Sequence, residues 1–219
     1  MDAAIRLFKG LPQPLPWIEP SINMMHLEVV LSYVFGAHIA AIIAEGVLLE
    51  HVLRMAVIDP VNSGINRRVS KTKLNKYRSI SDIIKNQELR PLILKLMDGD
   101  ETNLTWWKEI AAILRNKSAH MIINDMLRKF GTKNYLGKQF LDYIDTDPPG
   151  QWGFLWHRYG QLVSERFISE GTKQIVTIIR NTEWKPDEHW WISQKDYYES
   201  FFKFDWSLEE MQKSIAKFL

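Results

Sequence analysis

Apolar residues dominate the first long stretch of the chain. Between residues 22 and 58 the only turn signals are Gly36 and Gly46, and Ser21 stands in front of this run as a suitable N-cap. The run therefore predicts one long helix or two nearly collinear helices. The Pro- and Gly-containing residues 59–64 end it and open a loop.

Two short helices are predicted next. Ser79 or Ser81 can cap the first of them, which continues through Ile84. Pro91 suits the first turn of the second, and the Asp-Gly-Asp sequence at residues 98–100 ends it.

The best helical pattern of the chain follows. It begins after Asn103 or Thr105 and stops at Gly131, a residue typical of helix C-termini. One side is apolar and is expected to be buried, with Trp106, Ile110, Ile113, Leu114, Met121, Leu127 and Phe130.

The remainder of the chain also has helical patterns. Residues 135–144 and 152–170 are amphipathic. Residues 173–180 suit a strand by composition, but no partner strand is apparent, so we predict a helix. Residues 195–204 form another helical candidate, and a capping box at 207–210 starts the last one. The fold class predicted for the whole chain is all-α.

The organisation predicted from these patterns has three parts. Residues 1–20 form an arm with four prolines, and they either lie on the domain surface or serve as a proline-rich ligand. Residues 21–182 form a helical bundle. Residues 183–219 form a helical extension rich in tryptophan, whose aromatic side chains either pack or stack on bases.

The composition and charge of the chain limit the expected cellular compartment and the expected binding partners. The net charge of +2 does not by itself indicate nucleic-acid binding, so such a surface has to be local. The chain has no cysteine, which excludes disulfides and thiolate metal sites and fits a reducing cytoplasm.

Residues 1–10 lack the apolar run of a secretory signal. Residues 29–49 are apolar enough to suggest a membrane span, but they include Glu45, so we expect a buried bundle helix and no membrane.

One stretch carries only positive charges. It is either a solvated basic loop or a surface that follows the phosphates of a nucleic acid. Its members are Arg67, Arg68, Lys71, Lys73, Lys76 and Arg78.

The sequence Leu-Arg-Asn-Lys-Ser-Ala-His at residues 114–120 offers candidate chemistry. Arg115 provides a permanent cation for a phosphate, and His120 provides an imidazole that titrates near neutrality. On one continuous helix these side chains would point about 140° apart. A second copy of the helix across a two-fold axis would relieve that separation by forming a shared groove.

The motif and the order of helices before it resemble the HEPN superfamily of bacterial and archaeal helical proteins. The resemblance spans residues 22–130 and is specific at Arg115, Asn116 and His120. It implies a bundle that dimerises so that two motifs meet. In many members it implies a metal-independent endoribonuclease that acts as a toxin, in abortive infection or in other defence against phage. One subgroup, neutralised by a partner nucleotidyltransferase, has a tyrosine where this chain has Ile122, which argues against that antidote mechanism.

The resemblance assigns roles to the motif. His120 would act as general base or acid, Arg115 would stabilise charge on the phosphoryl oxygens, and Asn116 could orient the pair. No cofactor or metal is expected, and His26, His157 and His189 show no metal-ligand spacing. The alternative is a non-catalytic module of the same type that binds RNA, a nucleotide or a partner protein.

Two residues of the long apolar run are expected to support the site. Glu45 either pairs with a cation such as Arg115, and so positions it, or stays protonated. His51 is a core or groove residue that could line the same cleft.

Overall fold

The fold of the described chain is helical throughout. The computed structural model describes residue 10 and residues 20–58, 79–115, 119–131 and 152–182. All regular elements within these residues are helices, which confirms the all-α prediction for this part of the chain. They are α1 (Pro20–Val34), α2 (His38–Ile58), α3 (Ile80–Lys85), α4 (Arg90–Leu96), α5 (Glu101–Leu114), α6 (Ala119–Met126), a π-helical turn (Leu127–Gly131) and α7 (Trp152–Arg180).

The first apolar run forms a hairpin of two helices. Gly36 has a φ of +78°, a left-handed conformation that ends α1. Its N–H donates to the Tyr33 carbonyl at 2.9 Å, and the N–H of Ala37 donates to the Ser32 carbonyl at 2.8 Å, which together form a Schellman motif. Because the connection is so short and the two helices pack together, α2 runs back along α1. The prediction of a long or nearly collinear arrangement was wrong, since Gly36 reverses the chain direction.

Helix α7 packs along α2 in the same direction. Ser164 Oγ lies 3.1 Å from His38 Nδ1, and seven residues further along both helices Gly171 lies against the side chain of Glu45. Two contacts with equal spacing on both helices require parallel axes. The Tyr33 hydroxyl on α1 also donates to Glu165 at 2.9 Å, so that α1, α2 and α7 form one layer of the core.

Helix α5 packs on a different face of α7 from α2 and runs in the opposite direction. Trp106 Nε1 donates to Glu170 and Trp107 Nε1 donates to Gln174, both at 3.1 Å. Gln174 Nε2 in turn donates to Asn103 Oδ1 at 2.9 Å. Trp107 is fully buried, so its bond satisfies an indole N–H that would otherwise lose its water partner. At 29 residues and about 43 Å, α7 therefore contacts most of the other helices.

Short polar segments cap and connect the smaller helices. Ser79 caps α3 by accepting the N–H of Asp82, and Pro91 lies in the first turn of α4, as predicted. Asp98 and Gly99 both have positive φ and end α4. Asp98 also pairs with Arg180, which ties this turn to the end of α7.

Two predicted helix starts differ from the structure. Helix α1 begins at Pro20, so Ser21 lies inside the helix and is not its cap; a proline is well tolerated in a first turn. Helix α5 begins at Glu101, because Asp100 accepts the Thr102 N–H at 2.8 Å and caps it. Residues 173–180, with their strand-like composition, form the helical end of α7, as predicted.

The longest predicted helix of the central region is divided. Helix α5 ends at Leu114 and α6 begins at Ala119, where a continuous helix to Gly131 was expected. The sequence between these helices contains Asn and Ser, which are weak helix formers. The proline-rich arm, the helices predicted at 135–144 and 195–204, and the extension at 183–219 lie outside the described residues, apart from residues 10 and 20.

No helix in the described part of the chain is long and apolar enough to cross a membrane. The apolar residues 29–49 are divided between α1, the turn at Gly36 and α2.

Replacing Gly36 by alanine should lower the free energy of unfolding by about 1–2 kcal/mol, because a β-carbon is disfavoured at a φ of +78° although the surrounding space is open. Urea titration followed by circular dichroism measures this change. Phe35→Ala is the matched control: that side chain is 81% exposed, and its removal should change the same free energy by less than about 0.5 kcal/mol. Equal effects at the two positions would contradict the assigned role of Gly36.

Candidate functional site

The motif at residues 114–120 lies at a junction between two helices. Leu114 is the last residue of α5, and Arg115 follows it in a turn with an exposed side chain. His120 is the second residue of α6, and Asn116 lies outside the described residues. Because α5 and α6 are separate helices, the 140° offset of a continuous helix does not apply. The geometric reason for a two-fold axis is therefore lost, although the family resemblance still implies one.

The α5 side of this junction rests on α2. A β-carbon on Gly46 would lie 2.8 Å from Leu114 Cδ2 and 2.9 Å from its Cδ1, so the leucine side chain packs directly on the glycine. Arg115 is the next residue. Its cation at the C-terminal end of α5 also complements the negative end of the helix dipole.

The α6 side is held by α5 and α7. Arg166 Nη1 donates to the Phe130 carbonyl at 2.8 Å, which satisfies a carbonyl in the π-helical turn after α6. The Phe130 ring packs against Phe167 with 5.4 Å between ring centroids. Lys129 forms an ion pair with Glu109 of α5. The two helices that carry the motif are thus anchored on both sides of the junction.

Glu45 is the most unusual side chain near this junction. It is 0% exposed, and neither of its carboxyl oxygens has a hydrogen-bond partner among the described residues. Burial raises the pKa of Glu45 well above its usual value of 4.5. The pairing with Arg115, one of the two expected states, is not seen in the described residues, because Arg115 is exposed and neither carboxyl oxygen has a partner there. The other predicted state, a protonated carboxyl, fits these surroundings.

His51 does not join Glu45. The two residues are six positions apart on the unbroken helix α2 and so project about 120° apart. His51 is half-buried, and its Nε2 has no hydrogen-bond partner among the described residues. The neighbouring Glu50 accepts the Ile80 N–H at the start of α3; burial raises the pKa of Glu50, and this bond partly offsets the rise. The structure does not bring His51 to Arg115.

The remaining candidates are only partly described. The basic residues from Arg67 to Arg78 and His189 lie outside the described residues. His26 is buried and His157 is exposed. His38 is half-buried beside Ser164, and burial lowers its pKa. In the described ranges no group of three or more His, Asp or Glu side chains could hold a metal ion.

Sequence patterns did not indicate the residues of α7 that support this region. Gly171 provides the space that Glu45 occupies, and Ser164 bonds to His38. Both are small residues, seven positions apart on the buried face of an amphipathic helix, which is a pattern typical of close helix contact. Arg166, which supports the end of α6, had no such signal.

Comparison of the chain with protein-family models, with curated proteins and with solved structures found no match.

Gly171→Ala should lower the free energy of unfolding by about 1–3 kcal/mol, because the added β-carbon would overlap Glu45 Oε1 and lie 3.0 Å from its Cδ. In a Glu45→Ala background the same change should instead raise that free energy, by up to about 1 kcal/mol, since alanine is the better helix former. A double-mutant cycle in urea measures the coupling.

Gly160→Ala is the matched control for this cycle, because Gly160 lies on the same helix and faces Trp156 rather than Glu45. Its effect should be the same with and without Glu45. Equal effects of Gly171→Ala in both backgrounds would contradict the close packing of Glu45 on α7.

Proposed function

We propose that this protein is a metal-independent endoribonuclease of the HEPN type. The observation that supports this most is the placement of the motif at a helix junction. Arg115 is exposed at the end of α5, and His120 lies in the first turn of α6. On separate helices a cation and an imidazole can act on the same phosphate, which a single straight helix would hinder.

The proposed reaction uses the RNA's own 2′-hydroxyl as the nucleophile. His120 removes the proton of that hydroxyl, the oxygen attacks the adjacent phosphorus, and the bond to the 5′-oxygen breaks. The products are a 2′,3′-cyclic phosphate and a 5′-hydroxyl, whose oxygen receives a proton. Arg115 binds the phosphoryl oxygens and stabilises the charge that develops on them. Asn116 orients the pair.

Two described features favour a phosphate at this junction. The Arg115 guanidinium is exposed to an incoming anion. Helix α6 begins four residues later, and the N-terminal end of a helix attracts negative charge. Both therefore favour an anion beside residues 115–120. In this proposal the basic residues from Arg67 to Arg78 provide further contacts to the RNA backbone.

The proposed working form is a homodimer in the cytoplasm, in which two motifs share one site. Exposed apolar side chains on the α1–α2 hairpin, among them Phe35, Ile43 and Val47, give it a surface suited to association. By the same resemblance, the setting is a toxin or a phage-defence system with an antitoxin or other partner.

A second candidate function is a non-catalytic module that binds RNA, a nucleotide or a partner protein. The favourable position of Arg115 at the C-terminal end of α5 supports it, because that arginine would stabilise the helix without any substrate. This module would retain RNA without cleaving it, and retention would weaken as salt concentration rises.

Purified protein should cleave single-stranded RNA in EDTA and leave 2′,3′-cyclic phosphate ends, whereas DNA of the same sequence should resist for lack of the 2′-hydroxyl. His120→Ala should slow cleavage by about 10²- to 10⁴-fold, which is typical for loss of a general base, and Arg115→Ala should also slow it strongly. Gel analysis of end-labelled RNA measures the rates.

His157→Ala and Lys108→Ala are the matched controls, since both residues are exposed and lie outside the motif. Each should cleave at the wild-type rate. An inactive wild-type protein on a broad panel of RNAs would exclude the enzyme, and retention of RNA in the same samples would favour the binding module.

Mixing Arg115→Ala protein with His120→Ala protein should restore part of the activity if two chains share one site, because some mixed dimers then contain one intact set of side chains. The cleavage rate of the mixture, compared with each variant alone after the same incubation, measures this. A mixture no more active than its components would show that each chain carries a complete site.

A further inference from the structure

We propose that Glu45 is a proton-linked element of the fold: it packs as a neutral acid between α2 and α7, and loss of its proton loosens that contact and the end of α5. This inference does not depend on the proposed ribonuclease activity.

The surroundings of Glu45 favour the neutral form. Both carboxyl oxygens are buried without a hydrogen-bond partner among the described residues, so a carboxylate there would lose its water and gain nothing in return. The side chain already lies against α7, because it occupies the space that a β-carbon on Gly171 would fill, 3.0 Å from Glu45 Cδ and 3.1 Å from its Cγ. The same close contact leaves no space for a hydrating water on that side.

Most charged groups on the neighbouring helices are exposed to solvent or bonded to residues other than Glu45. On α7, Glu170 accepts the Trp106 N–H, Arg166 donates to the Phe130 carbonyl, Glu165 accepts the Tyr33 hydroxyl, and Lys173 is exposed. On α1, Glu28 is exposed, while His26 is buried.

On α5, Lys108 and Arg115 are exposed and Glu109 pairs with Lys129. On α3, Asp82 accepts a bond from Ser79 and Lys85 is exposed, and on α4, Arg90 pairs with Glu101 and Lys95 is exposed. His26 is therefore the one group among these with the burial needed to form a buried ion pair with Glu45, and the sign of the pH dependence tests that alternative.

The direction of the effect follows from proton linkage. Burial raises the pKa of Glu45 in the folded protein above the value of 4.5 that applies to the unfolded chain. Between these two pKa values the folded state holds a proton that the unfolded state has released. The unfolding constant therefore rises with pH, by up to tenfold per pH unit, and stops rising above the folded pKa.

The residue after Glu45 connects the ionisation of this side chain to the motif through a packing contact. Gly46 follows Glu45, and Leu114 of α5 packs directly on Gly46. If α2 shifts away from α7 when the carboxyl ionises, Leu114 loses its support and the end of α5 opens. Arg115 is the next residue, so its placement responds to the proton on Glu45.

The test compares the pH dependence of unfolding in wild-type protein and in Glu45→Gln, a variant that cannot ionise. Urea titrations of the full chain between pH 3 and pH 9 should give a wild-type unfolding constant that stays level relative to the variant below about pH 4.5 and rises above it by up to tenfold per pH unit. Glu28→Gln, on the exposed side of α1, should follow the wild-type profile at every pH. Glu45→Met gives a second uncharged side chain in case the buried amide of Gln prevents folding.

Two results would overturn the proposal. Parallel pH profiles for wild-type and both Glu45 variants would show that this carboxyl is not linked to folding. A wild-type unfolding constant that falls relative to the variants as the pH rises toward 4.5 would show an ionised carboxylate paired with a cation such as His26, because pairing lowers the folded pKa of the carboxyl below its unfolded value. Hydrogen exchange of residues 110–115, measured at a pH where the unfolding profile shows Glu45 to be ionised, tests the coupling to α5: it should be faster in wild-type protein than in Glu45→Met, and equal rates would exclude the coupling. Neither readout uses RNA, so both are independent of the ribonuclease assay.

Discussion

The close contact of α2 with α7 is the constraint on which the other packing depends. Ser164 and Gly171 are small enough to let the two helices approach in parallel, and the second of these contacts places Glu45 against the α7 backbone. A neighbouring face of α7 contacts α5 through hydrogen bonds from Trp106 and Trp107. The position of α5 then determines where the motif junction lies.

Much of the secondary structure could be predicted, because its signals are local. The start or end of a short helix depends on a few neighbouring residues, such as Ser79, Pro91 and the turn after α4. A stripe of apolar residues likewise indicates which face of a helix is buried. The reversal at Gly36 was missed because glycine is compatible with both a helix interior and a left-handed turn, and only the packing of α1 on α2 decides between them. The break after Leu114 was missed because Asn116 and Ser118 lower helix propensity only slightly.

The candidate site was predictable in its residue types but not in its geometry. The pairing of Glu45 with Arg115 was a reasonable expectation, since a buried carboxylate normally requires a cation. In the described residues neither carboxyl oxygen has a hydrogen-bond partner, and burial raises the pKa of Glu45, which favours the neutral form that needs no counter-ion. The choice between the two depends on whether Arg115 points inward, and that in turn depends on α5 ending at Leu114. No local pattern carries that information.

A neutral acid at this position has a cost that an apolar side chain would avoid. Burying a carboxyl group without a hydrogen bond costs about 1–3 kcal/mol, and methionine would fill a similar volume without that penalty. The stability depends on pH because the carboxyl, which is 0% exposed, would lose its water on ionising. Since Gly46 and Leu114 connect the same turn of α2 to the end of α5, the least favourable group in the core lies one contact away from the exposed arginine of the motif. Ionisation of Glu45 can therefore alter the packing at the junction, which ionisation of an isolated buried acid could not do.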